Sequence, residues 1–196
     1  RRNAFTAMAW IFIPAHCFAN PRQVWDLNDT RAQTLCAGLG DAYLRVGGTH
    51  EDFQRYFEPD VAPRNNLTQT SMDGLCAFSD ASGWPIVFGL NAQRGYNDTS
   101  AHAWDPSDAQ KLIRYIRARD CNVVGFELGN ELNLGGQPHP SRTQAGKGYF
   151  TAALQAGHFR ALADLLMQEY GGKIGRGVKA SPFLVGPDVT QQGVVM

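Results

Sequence analysis

Asn122-Val-Val-Gly-Phe-Glu-Leu128 is an apolar run of strand length, and it passes directly into Gly129-Asn130-Glu131-Leu132-Asn133. A strand that ends on Gly-Asn-Glu sets an amide and a carboxyl at its C-terminal end. What such a pair can do depends on the sheet around it.

The flanking segments alternate short apolar runs with longer amphipathic ones. Residues 28–39 read as a helix, with Ala32, Leu35, Cys36 and Leu39 on one face and Gly38 and Gly40 ending it. Ala42-Tyr-Leu-Arg-Val-Gly47 reads as a strand. A loop follows through Pro59 and Pro63, and residues 70–81 form a second helix with Met72, Leu75, Cys76 and Phe78 towards the core. Trp84-Pro-Ile-Val-Phe-Gly-Leu90 is the next strand, with Pro85 at its start, where a missing N–H donor matters least. Asp105-Pro106 opens a third helix as N-cap and first turn, and Leu112, Ile113, Tyr115 and Ile116 face inward. Beyond Asn133 come a Gly/Pro-rich loop over 135–148, a long helix from about 150 to 170, and a last strand, Ser181-Pro-Phe-Leu-Val-Gly186.

Strand and helix in alternation imply right-handed βαβ crossovers and a parallel sheet. A doubly wound sheet would carry a Gly-rich phosphate loop after its first strand, and no such motif occurs. In a (β/α)8 TIM barrel, functional residues gather at the C-terminal strand ends. There fall Gly47-Gly48-Thr49, Asn91, Asn130-Glu131 and Pro187-Asp188. The fold expected is therefore α/β, a partial (β/α)8 barrel. A whole barrel takes about 250 residues, so this chain of 196 holds roughly the first five βα units. Residues 26–196 are assigned to that barrel. Residues 1–25 are a leader or flanking segment, whose apolar stretch from Ala4 to Ala15 fits a signal-peptide remnant, a buried strand or foreign flanking sequence. Both ends read as cuts in a longer product.

Glycosidic cleavage needs a carboxyl such as Glu131. The leaving alkoxide is too basic to depart at neutral pH without a proton, and a second carboxylate must attack or support the anomeric carbon. Asn130 suits a sugar hydroxyl, since its amide both donates and accepts. Spacing alone equally allows Glu131 to be a surface residue opening a loop, with Asn130 as a turn former. Strand parity puts Glu127 on the face of Glu131, and Arg45 on the face of Gly47 and Thr49. An ion pair between Arg45 and Glu127 inside the barrel is expected, because a lone buried charge is costly. His50 and Glu51 read as a solvated loop. The Arg114, Arg117 and Arg119 run reads as a solvated helix face, and Asp188 as either cleft lining or turn.

Lys plus Arg number 18 and Asp plus Glu 18, so nothing in the charge balance selects nucleic acid or an anionic membrane as partner. No segment is long enough to span a bilayer. Cys17, Cys36, Cys76 and Cys121 lack zinc spacing; the sequence leaves open whether any pair is bridged, and the default reading is buried or solvent-facing thiols. Three Asn-x-Thr sequons, at Asn28, Asn66 and Asn97, accord with a secretory route.

Leu44-Arg-Val-Gly-Gly-Thr49, Val87-Phe-Gly-Leu-Asn-Ala92, Phe126-Glu-Leu-Gly-Asn-Glu131 and Val185-Gly-Pro-Asp-Val189 resemble, in order, the strand ends of heparanase and related β-glucuronidases, glycoside hydrolase family 79. The resemblance runs from about Asp26 to Val189. It implies a clan A barrel and a retaining double displacement on an acidic polysaccharide or glucuronide. Glu131 is then the acid/base, with Asn130 and Thr49 placed at the bound sugar. From the residues alone, Asn91 reads either as a substrate contact or as a turn residue ending its strand, and strand parity gives Arg45 and Glu127 a supporting role. The nucleophile, the second half of the barrel and the C-terminal β-sandwich lie outside this chain. No metal or cofactor is called for, and the location implied is secreted, extracellular or lysosomal-vacuolar. Leu132 stands where the family commonly has proline. The segment after Thr49 is short, as in plant, fungal or bacterial members, which weighs against endo-action on heparan sulfate. The alternatives are an inert heparanase-like glycan binder and a clan A glycosidase for another sugar.

Overall fold

The structure, a computed structural model, describes residues 9–14, 26–61, 66–92, 103–132 and 152–188. It is a mixed α/β arrangement. In chain order the elements are β1 (Ala9–Pro14), α1 (Thr30–Gly38), β2 (Ala42–Gly47), a 3-10 turn (Glu51–Phe53), β3 (Arg55–Tyr56), β4 (Asn66–Leu67), α2 (Gln69–Ser82), β5 (Ile86–Leu90), α3 (Ser107–Ala118), β6 (Val123–Leu128), α4 (Ala152–Glu169) and β7 (Phe183–Leu184). The main sheet is parallel, in the order β1-β2-β5-β6-β7. That order runs one way across the sheet, without the reversal that marks a doubly wound fold.

Residues 9–14 pair with all six positions of β2, from Ala9 opposite Ala42 to Pro14 opposite Gly47. Of the readings open for the first twenty residues, strand is the one this segment takes. The sequons at Asn28 and Asn66 lie within the described residues. Asn97, the 135–148 loop, His102, His139 and Cys17 lie outside them.

The helices begin and end where local chemistry allows. Asp29 caps α1 by accepting from the Arg31 amide, and Thr68 caps α2 by accepting from the Ser71 amide. Gly83, at φ 75°, closes α2 in the left-handed conformation that an L side chain resists. The third helix starts one residue later than expected. Pro106 is the cap position, and the Asp105 carboxylate accepts from the Ser107 amide at 2.9 Å.

Met72, Leu75, Cys76 and Phe78 are buried as their spacing predicts, as are Leu112, Ile113 and Ile116. The first helix differs. Only Cys36 of its expected apolar face is buried, and Leu35 and Leu39 are 70% and 73% exposed. This helix packs on α2, with both leucines turned to the surface. The arginine run of α3 is exposed, as its sequence suggests, and its members are paired. Arg114 and Arg117 both reach the buried Glu169 at the end of α4, and Arg119 pairs with Asp73.

The default reading as thiols is corrected for Cys76 and Cys121. Cys76 and Cys121 form a disulfide, while Cys36 is free and buried. The bridge joins α2 to the residues leading into β6, across 45 positions of chain. Spacing could not show this, because the two sulfurs meet only after β5 and α3 have packed.

Closing a loop of that length should stabilise the fold by about 2–5 kcal/mol. Replacing both Cys76 and Cys121 with serine is expected to lower the urea midpoint and to steepen the denaturant slope, because the unbridged unfolded chain exposes more surface.

Candidate active site

The strands of a parallel sheet end on one rim, and here those ends carry the predicted site residues. After Leu128, Gly129 turns at φ 74°. A Cβ there would lie 2.4 Å from the Leu132 side chain and 2.8 Å from Ala92, so only glycine fits the turn. Glu131 is itself at φ 50°, a left-handed conformation uncommon for glutamate. Such a residue costs about 1–3 kcal/mol and persists only where its surroundings hold it. The hold is visible: the Glu131 amide donates to the Asp188 carbonyl at 3.1 Å. Its carboxyl is part-exposed at the rim.

Asn130 is buried beside it, and its backbone amide donates to Asp52 Oδ2 at 3.3 Å. The turn after β2 thus braces the turn after β6. Thr49 is half-buried on the same rim. Asn91 is buried, and its side-chain nitrogen donates to the Gln54 carbonyl at 2.5 Å. Its backbone amide donates to the Tyr56 hydroxyl at 2.8 Å, and its carbonyl accepts from Trp104 Nε1 at 3.0 Å. Asn91 therefore braces the segment that follows the 3-10 turn.

Below this rim lies a layer of charge. Arg45 Nε meets Glu127 Oε2 at 2.7 Å, and Arg45 Nη2 meets Asp188 Oδ2 at 2.5 Å. The same nitrogen reaches Asn130 Oδ1 at 3.5 Å, a long and weak contact. The planar guanidinium can serve β6 and the residues after β7 at once, which a lysine could not do in this geometry. Burial alone would favour a neutral Arg45. The carboxylates of Glu127 and Asp188 outweigh it and hold the cation more firmly charged than usual. Burial, with the charge of Asp188 added, raises the proton affinity of the Glu127 carboxyl against the pull of Arg45.

Sequence reasoning missed Glu51. The reading of a solvated loop holds for His50, which is exposed, but not for Glu51, which is 2% exposed. Its side chain folds back over two glycines on adjacent strands. A Cβ on Gly89 would lie 1.9 Å from Glu51 Oε2, and a Cβ on Gly47 2.6 Å from the same atom. The two glycines leave a slot in the sheet face that the glutamate fills. Neither of its carboxyl oxygens has a hydrogen-bond partner among the described residues. Desolvation, then the charges of Asp52 and Glu127, push its proton affinity far above the ordinary carboxylate value, against the pull of Arg45. The only signal in the sequence was a glycine at each of positions 47 and 89, two strands whose ends meet.

Residues 63–185 match the family described as glycosyl hydrolase family 79, N-terminal domain. The chain belongs to glycoside hydrolase family 79. Heparanase of Bos taurus is 26% identical to it, over 91% of this chain and 38% of that protein. Hyaluronoglucuronidase of Hirudo nipponia is 28% identical, over 89% of this chain and 39% of its own length. Inactive heparanase-2 of Homo sapiens is 36% identical over 56% of this chain. The chain therefore spans at most about two fifths of these heparanase-like family 79 relatives, 38% and 39% in the two longest of these matches.

In this family 79 chain, Glu51 and Glu127 each hold a proton to higher pH when folded than when unfolded. The folded state then binds more protons from the ordinary carboxylate pKa of about 4.3 upwards. Stability from these groups is full below that value and falls as pH rises through the window above it. Urea midpoints measured between about pH 4 and pH 8 should decline with pH. Glu51→Gln should stabilise the protein at the upper end, change little at the lower end, and flatten the decline.

Proposed function

We propose that this chain is the acid/base-bearing part of a retaining glycoside hydrolase that cleaves β-linked glucuronic-acid glycans. The observation that carries this reading is the rim of β6: Asn130 and Glu131, braced by Asp52 and by the Asp188 carbonyl, above the Arg45 layer, in a family 79 chain. Glu131 protonates the glycosidic oxygen as the bond breaks. A carboxylate from a later strand, outside this chain, attacks the anomeric carbon and forms a glycosyl-enzyme intermediate. Glu131, now ionised, takes a proton from water, whose oxygen displaces the enzyme carboxylate with net retention. Asn130 and Thr49 bind sugar hydroxyls at the rim, with Asn91 set behind them, while Arg45 and Glu127 position the strand ends.

The parallel sheet, with its one-way order, supports a partial (β/α)8 barrel of about five βα units. The remaining strands and a β-sandwich would come from further chain. A disulfide between Cys76 and Cys121 supports an oxidising compartment, hence a secreted or lysosomal-vacuolar setting. No helix among the described residues is long and apolar enough to cross a membrane. An acidic polysaccharide or glucuronide is the partner.

A second reading is favoured by the 36% match to a relative named inactive heparanase-2. In that reading the same rim binds acidic glycan without cleaving it. The two part at one position, since a glutamate at a late strand end supports catalysis and any other residue there supports binding alone.

The test is to recover the full-length transcript, express it, and compare wild type with Glu131→Gln on two substrates. On a glucuronic-acid glycan, kcat should fall by about 10²–10⁴-fold. On p-nitrophenyl β-D-glucuronide the first step should fall much less, because nitrophenolate leaves without a proton. Equal losses on both substrates would remove Glu131 from the acid role. A folded, inactive wild type would favour the binder.

A further inference from the structure

Two of the three sequons lie within the described residues, and the structure treats them differently. Asn28 sits in the turn just before α1, exposed, next to the Asp29 cap. Its backbone amide donates to the Asp26 carboxylate, and its side chain has no partner among the described residues. Asn66 is half-buried in the two-stranded β3–β4 ladder. Its Oδ1 accepts from the Glu58 amide at 3.1 Å, and its Nδ2 donates to the Glu58 carbonyl at 2.5 Å.

That two-point contact uses one edge of the Asn66 amide, the edge holding the oxygen and the N–H on the same side. N-glycosylation turns a primary amide into a secondary one. A secondary amide is trans, so the sugar replaces the hydrogen on the oxygen's side. The cis alternative is strongly disfavoured. A glycan at Asn66 would therefore occupy the space that Glu58 fills. The Cys76–Cys121 disulfide belongs to an oxidising compartment, the setting in which sequons meet the sugar-transfer machinery.

We infer that Asn28 carries an N-linked glycan in the folded protein and that Asn66 does not, although both lie in intact sequons. This holds whether or not the chain belongs to an active glycosidase.

The test is expression of the full-length protein through a eukaryotic secretory pathway, with the folded, secreted fraction and the retained fraction analysed separately. Each is released with peptide-N-glycosidase in heavy-oxygen water and mapped by peptide mass spectrometry. Asn28 should be labelled in most secreted molecules and Asn66 unlabelled, with any Asn66 label confined to the retained fraction. Asn28→Gln and Thr30→Ala should each remove the same glycan mass from the secreted protein. Label on Asn66 in the secreted, folded protein overturns the inference, as does an unlabelled Asn28.

Discussion

Arg45 is the one guanidinium in a layer of carboxyls, and the rim above depends on it. Its Nε takes Glu127 from β6 and its Nη2 takes Asp188 from beyond β7. Three segments far apart in sequence are thereby held at one point. A buried ion pair of this kind gains little net stability against an apolar isostere, but losing one partner would strand the other charge. The geometry it enforces matters more than its energy. With Asp188 anchored by its side chain, its carbonyl is in place to receive the Glu131 amide.

The same layer explains two glycines that a sheet would otherwise fill. Gly47 and Gly89 leave a slot for the Glu51 side chain, which returns from the turn after β2. Its neighbour Asp52 then reaches the Asn130 amide. One turn therefore sends two acidic side chains inward, one beneath the rim and one into it. Glu51, Glu127 and Asp188 all act on the Arg45 guanidinium, so the layer cannot hold all its carboxyls ionised without a large electrostatic cost. Burial and mutual repulsion keep the Glu51 proton on, and an acidic environment suits that state.

Much of this was legible in the residues, for identifiable reasons. Apolar periodicity placed α2, α3 and β6 because burial on one face leaves a mark every few residues. Parity along β2 and β6 put Arg45 and Glu127 on one face, and their charged groups meet at 2.7 Å. The Gly-Asn-Glu ending located the rim turn. What escaped has a common cause. Glu51 looks like any loop acid until a slot two strands away is known. Leu35 and Leu39 look like a core face until α1 is seen to pack on α2 with both turned outward. Cys76 and Cys121 look like separate thiols until their sulfurs meet. In each case the deciding partner is distant in the chain and carries no local mark.

While β1, β3 and β4 emerged only in the structure, the sequence by itself determined the four helices and the strands β2, β5, β6 and β7, that the main sheet is parallel, and that Asn130 and Glu131 sit together at a strand end. These follow from side-chain period, capping residues and chain connectivity, all local in origin. Only the tertiary structure decided what surrounds them: the Arg45 fork, the burial of Glu51 over Gly47 and Gly89, the Cys76–Cys121 bridge and the left-handed turn of Glu131. Those depend on strand register and on the space left between packed elements, which residue order constrains only through the whole fold.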